Sequence, residues 1–125
     1  MLILICGRSR AGKTTYSQRF ENVIHLDEVG FSYERCRSYV HDGDVVVEGV
    51  YDKAQLRKSL LSSYSGDSRK CIWLDTPTEI RRSRKGYSKL SDIPFEPPTL
   101  EEGWDEIVII RGENDVECYS RQTED

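Results

Sequence analysis

Residues Gly7 to Thr14 read Gly-Arg-Ser-Arg-Ala-Gly-Lys-Thr and satisfy G-x-x-x-x-G-K-[ST] at every fixed position. The chemistry served by this spacing is the grip of a triphosphate. Gly7 and Gly12 let the main chain wrap closely around phosphate oxygens. The amides of the loop and the start of the following helix (Arg8, Ser9, Arg10, Ala11, Gly12, Lys13, Thr14 and Thr15) can then point at negative charge. Lys13 adds a mobile positive charge for the β and γ phosphates, and the Thr14 hydroxyl can ligate Mg²⁺. A glycine-rich turn that merely joins a strand to a helix explains the glycines but not the Lys-Thr pair at fixed distance. ATP and Mg²⁺ are the expected ligands.

Whether water or a substrate hydroxyl receives the phosphate depends on acids across from the loop. Asp27, in His25-Leu26-Asp27-Glu28, is expected at the end of a second strand, where carboxyl ends of strands line the ligand crevice of open α/β sheets. A carboxylate there can orient and deprotonate an acceptor hydroxyl. The alternative is that Asp27 only caps the next turn, a common job for aspartate. Glu48 follows three valines in a strand expected beside the first and suits the holding of Mg²⁺ or its water shell; Asp75, after Cys71-Ile-Trp-Leu74, competes for that role.

Arg81, Arg82, Arg84, Lys85 and Lys89 form a run without an acid. Such a run can be a solvated helix end that meets the macrodipole. An arginine on a mobile lid, Arg81 or Arg84, can instead stabilise a phosphoryl group in flight. Arg35 and Arg37 form a smaller basic set beyond Asp27, where an acceptor's phosphates could lie.

These side chains need a frame, and the sequence describes one. Short Val/Ile-rich runs alternate with helical patterns of about a dozen residues, the mark of β-α-β units and a helix-covered parallel sheet. Strands are expected at Met1–Cys6, Val23–Leu26, Asp44–Val50, Cys71–Asp75 and Glu106–Ile110, with the first, apolar on both faces, at the centre. Helices are expected from about Lys13 to Glu21, with Tyr16 and Phe20 inward, and from a Ser32 cap to about Val40. A third follows Asp52 as N-cap, with Leu56, Leu60, Leu61 and Tyr64 on one face, and a fourth follows Thr76-Pro77-Thr78-Glu79, with Thr76 as its cap and Pro77 at the first helical position. Residues 84–98 read as a loop or lid. The fold class is α/β: a three-layer α/β/α sandwich with a five-stranded, mainly parallel sheet, built from residues 1–112 as one domain. Residues 113–125 read as an acidic, frayed tail.

A length of 125 residues fits one domain of modal size. Net charge of −4 argues against a protein that coats nucleic acid by electrostatics alone, but not against a local basic cleft. Cys6, Cys36, Cys71 and Cys118 have neither C-x-x-C nor zinc spacing, so reduced thiols in a cytoplasmic setting are expected. No stretch is long enough to span a bilayer, and the opening apolar run is too short for a signal peptide.

Taken in order from Met1 to about Ile110, the chain resembles the kinase domain of polynucleotide 5′-hydroxyl kinases, particularly the kinase half of bifunctional kinase-phosphatases. The segment Phe95-Glu-Pro-Pro-Thr-Leu-Glu-Glu-Gly-Trp104 is similar to the family's F-x-x-P-T-x-x-E-G-F, with Trp104 in the aromatic place. His25 to Gly30 is similar to the stretch that carries the general-base aspartate, a role the resemblance gives to Asp27. Ile80 to Gly86 resembles the lid whose arginines bind the transferring phosphate. The chain departs from the pattern at Arg10, where many relatives carry glycine, and it has little room for a helical lid. The resemblance implies transfer of the γ-phosphate of ATP to the 5′-hydroxyl of a DNA or RNA end. A small-molecule or nucleoside kinase, and a nucleotide-binding switch or NTPase without transfer, are the competing expectations.

Overall fold

Five consecutive apolar residues suffice to place β1 (Leu2–Cys6) between two cores, because successive side chains leave a strand on opposite faces. Leu2, Leu4 and Cys6 join Leu60, Leu61, Tyr64 and Trp104 on one face. Ile5 joins Ile72 and Leu74 on the other, with Ile3, Tyr16 and Phe20 packed against them. The computed structural model describes residues 1–121. In it, β2 (Ile24–His25), β3 (Val45–Gly49), β4 (Arg69–Leu74), β5 (Glu106–Gly112) and β6 (Asp115–Ser120) complete one six-stranded sheet in the order β2-β3-β1-β4-β5-β6. The first five strands are parallel, and β1 lies inside the sheet as expected.

The sheet is mixed rather than five-stranded, and the extra strand comes from the segment expected to fray. β6 runs antiparallel to β5, with Ile107 opposite Tyr119 and Ile109 opposite Glu117. Its side chains are almost all exposed, so no apolar alternation marked it. Main-chain pairing, a tight turn at Glu113-Asn114 and the grip of Arg111 on Glu117 hold it instead. Residues 122–125 of that expected tail lie outside the described residues.

Four helices connect the parallel strands: α1 (Lys13–Ser17), α2 (Tyr33–Ser38), α3 (Ala54–Ser62) and α4 (Thr78–Arg82). α1 stops short of Glu21, although Tyr16 and Phe20 still pack on the sheet. The Ser32 hydroxyl caps α2 by accepting the Arg35 amide at 3.1 Å, as expected. Two caps differ from expectation. Asp52 does not cap α3; the Glu96 carboxylate accepts the Ala54 amide at 3.0 Å, from more than forty residues away. Thr76 does not cap α4; its hydroxyl donates to the Ala11 carbonyl at 2.7 Å and tethers the glycine loop to the end of β4. Among the described residues no helix is long and apolar enough to cross a membrane.

The segment from Phe95 to Trp104 is structural. Phe95 stacks on Trp73 with ring centroids 5.3 Å apart, and Trp104 is fully buried. Glu102 accepts from both Arg57 Nε at 2.8 Å and Arg57 Nη2 at 2.9 Å, and from the Trp104 indole at 3.1 Å. Arg57 is itself fully buried and gives its remaining nitrogen to the Tyr51 carbonyl. Glu102→Ala would leave that guanidinium uncompensated. A loss of about 3–5 kcal/mol in urea-unfolding free energy is expected, the scale for breaking one side of a buried ion pair. A loss below 1 kcal/mol would show that the pair does not hold the segment.

Candidate functional site

The glycine loop leaves the carboxyl end of β1, and its backbone has the angles that close approach demands. Gly7 has φ 154°, and a Cβ there would meet the Leu74 carbonyl oxygen at 2.6 Å, so no other residue fits without a shift of β4. Arg10 takes a left-handed φ of 68° despite its side chain. Among the described residues the amides of Gly12, Lys13 and Thr14 have no hydrogen-bond acceptor in the protein. These are the donors that an anion in the loop would find.

Lys13 is buried to 9% exposure under this loop, with its Nζ donating to the Arg8 carbonyl at 2.8 Å. Burial pushes its pKa down, and the nearby carboxylates of Glu48 and, more weakly, Asp27 pull it back up. The ammonium therefore sits between the loop and the acids. Thr14 and Thr15 are exposed at the start of α1, and Ser9 is exposed at the loop tip.

The acids converge as the register requires. His25 and Glu48 are direct partners across β2 and β3, so their side chains stand side by side on the face covered by α1. His25 Nδ1 and Glu48 Oε1 are 2.7 Å apart. Asp27 completes a group of three whose ligand atoms lie within 4.8 Å of one another. Asp27 stands on a 3-10 turn, Leu26–Val29, rather than at a strand end, because β2 stops at His25. Its carboxylate is exposed and caps nothing: the turn has no side-chain cap. Asp75, the competitor of Glu48, is taken up by Arg111 at 3.2 Å and Arg8 at 3.9 Å. Of the two, Glu48 alone shares space with Lys13 and Asp27.

On the other side of Lys13 lies a cavity of about 630 Å³ between the loop and the ends of β4 and β5. Arg10 to Tyr16, Leu74 and Thr76 form its floor, Ile110 to Gly112 one wall, and Ile80, Arg84 and Lys85 the other. The two expected lid arginines part here. Arg81 is buried to 1% exposure and committed to structure: it pairs with Asp92 at 2.7 Å and donates to the Thr76 and Ser91 carbonyls. Arg84 is exposed and reaches over the loop to the Arg10 carbonyl at 2.5 Å. The contact is reciprocal, since the Arg10 guanidinium lies so close to Gly86 that a Cβ there would meet it at 2.4 Å. Arg8 is also an anchor; its Nε donates to the Ile93 carbonyl at 2.8 Å and fixes the far end of the lid segment.

Arg35, exposed, and Arg37, half-buried, stand on α2, which packs against the turn that carries Asp27. His25 was missed by reading the sequence, because only the pairing of β2 with β3 brings it to Glu48. The cavity wall Ile110–Gly112 was missed because those residues read as the plain end of a strand.

The donor set suits a hard cation. Glu48 and Asp27 offer carboxylate oxygens near Lys13, and the Thr14 hydroxyl stands at the loop, the oxygen chemistry Mg²⁺ prefers. His25 Nδ1 is engaged with Glu48 and positions that carboxylate, while the second ring nitrogen keeps His25 among the three candidate ligands. No protein-family model matches the chain, and no curated protein matches it either.

Proposed function

We propose that the chain is a P-loop phosphotransferase that moves the γ-phosphate of ATP, bound with Mg²⁺, to the 5′-hydroxyl end of DNA or RNA. One observation carries the reading: Lys13 lies between a nucleotide-sized cavity on the β4–β5 side and a group of acids on the β2–β3 side. A nucleotide in the cavity would run its phosphates along the loop amides toward Lys13. An acceptor hydroxyl would approach from the side of Asp27. Asp27 is exposed at the surface, which suits the tip of a long polymer better than an enclosed metabolite.

Each residue has a stated part. Loop amides and Lys13 hold the β and γ phosphates. Asp27 accepts the proton of the acceptor hydroxyl as its oxygen bonds to the γ phosphorus and the bond to the β–γ bridging oxygen breaks, so ADP leaves. Bound Mg²⁺, held through Thr14 and Glu48, would neutralise charge on the phosphates. Arg84 stabilises the equatorial oxygens from the lid. Arg84→Ala is expected to lower kcat by about tenfold to 100-fold, less than a sole donor would, because Lys85 lines the same cavity. Arg81→Ala should instead lower the melting temperature, since it empties one side of the pair with Asp92. The reverse outcome, with Arg81→Ala stable but slow, exchanges their roles.

The test is γ-labelled ATP with a panel of 5′-hydroxyl oligonucleotides, 5′-phosphorylated controls, nucleosides and sugars. Label is expected on 5′-hydroxyl oligonucleotides alone. Label on a nucleoside or sugar but no oligonucleotide favours the small-molecule kinase, and slow release of phosphate whatever acceptor is offered favours an NTPase.

A further inference from the structure

Phe31 carries two costs that the fold does not recover. The residue is 69% exposed, the highest value among the exposed large apolar residues that the structure describes. Its main chain is also left-handed, at φ 58°, directly after Gly30 at φ 71°. Side chains other than glycine, asparagine and aspartate rarely take that conformation. An aromatic ring usually repays backbone strain by burial, and here little is buried. Strain held at an exposed position is a pointer toward a ligand.

The location of Phe31 says which ligand. Its amide donates to the Leu26 carbonyl at 2.9 Å, and the Gly30 amide donates to the Asp27 carbonyl at 3.3 Å, so Phe31 is fastened to the turn that bears Asp27. Immediately beyond it, the Ser32 cap opens α2, with exposed Arg35 one turn further on. An exposed aromatic ring followed by a cation, next to the acid that would receive a 5′-hydroxyl, matches the layout of a single-stranded nucleic-acid site: a stacking surface with charge for the backbone.

We propose that Phe31 is the stacking platform for the base of the acceptor's 5′-terminal nucleotide, with Arg35 meeting the phosphate that follows it. This rests on the kinase reading above and extends it to substrate form. The terminal base must be free to lie on the ring, so single-stranded and frayed ends are preferred over blunt duplex ends. Base identity matters little, because every base presents a π face.

The experiment compares Phe31→Ala, Phe31→Trp and Phe31→Gly on two 5′-hydroxyl oligonucleotides, one complete and one with an abasic 5′-terminal residue. Phe31→Ala is expected to raise the acceptor KM on the complete oligonucleotide by about tenfold or more, with the effect on KM rather than kcat. The abasic oligonucleotide should show the raised KM already with the parent, and no further rise with Ala. Phe31→Trp should keep a low KM. Phe31→Gly should raise the acceptor KM while raising the melting temperature, because it relieves the left-handed backbone. A ring with only a structural role would move stability and not KM. Equal KM for parent and Phe31→Ala on the complete oligonucleotide, or an equal rise on the abasic one, overturns the proposal. If the parent labels no oligonucleotide, the kinase reading fails by itself. Quenching of a 5′-terminal 2-aminopurine by the parent and not by Phe31→Ala then still supports the platform, and absence of quenching by the parent overturns it.

Discussion

Lys13→Ala is expected to transfer phosphate about 1000-fold more slowly than the parent, measured as label moved from γ-labelled ATP to a 5′-hydroxyl oligonucleotide. The side chain is the cation that the cavity and the acid group share, and a positioned charge is worth most where water is excluded. A general loss of folding is separated from this result by a variant that keeps the buried stem, because removing the charge alone has the opposite effect on stability. Burial holds the Lys13 pKa below the ordinary lysine value, so the folded chain binds this proton less tightly than the unfolded chain. At neutral pH the ammonium therefore costs stability, and the cost fades as pH rises toward the unfolded lysine pKa of about 10.4. Lys13→Met, which keeps the stem, should melt no lower than the parent without nucleotide. It should also lose most of the upward shift in melting temperature that ATP and Mg²⁺ confer on the parent; that shift is worth about 2.7 kcal/mol at 100 times the dissociation constant. A Lys13→Ala chain of normal activity removes the mechanism.

Asp27→Asn is the second large effect. A drop in kcat of roughly 100-fold or more is expected, the scale of a positioned general base, with ATP affinity near that of the parent. Asparagine keeps the size and polarity of the side chain but cannot take the proton. Because the exposed Asp27 carboxylate caps nothing, unfolding free energy should change by less than about 0.5 kcal/mol. Single-turnover labelling with excess protein isolates the chemical step. Parent-like transfer by Asp27→Asn would return Asp27 to the role of a turn residue and leave the chain without a named base.

The parts of the site that a reader can find in the sequence are those encoded by neighbours along the chain. The Gly7–Thr14 loop is contiguous, and its position between an apolar strand and a helix follows from local pattern. Asp27 and Glu48 were visible as acids near strand ends for the same reason. His25 was not, because its value comes from standing opposite Glu48, a neighbour 23 residues away that only strand register supplies. The division of labour between Arg81 and Arg84 was also hidden. Both lie in one basic run, and the difference is made by Asp92 across the lid segment and by the Arg10 carbonyl in the loop.

The fold has the same split. The five parallel strands came from apolar runs, whereas β6 has no such run and exists through pairing with β5. Helix caps drawn from local pattern held for Ser32 and failed for Asp52 and Thr76, whose expected jobs were displaced by Glu96 and by the Ala11 carbonyl. The segment from Phe95 to Trp104 is a further lesson. It is the most telling part of the resemblance to the 5′-hydroxyl kinases, yet its side chains build core and caps. Its likeness speaks to how such a sheet is braced, and the acceptor has to be argued from Asp27 and its surroundings.

The two compartments that flank Lys13 carry a consequence for the order of events under the proposed reaction. With Asp27 acting as base on the acceptor hydroxyl, that oxygen would attack the γ phosphorus directly, without a carrier side chain. Under that reading both reactants would be aboard together, in a ternary complex, and the expected outcome is a single displacement with inversion at phosphorus. The glycine loop would then be a septum that both molecules touch, with only the phosphoryl group passing between them.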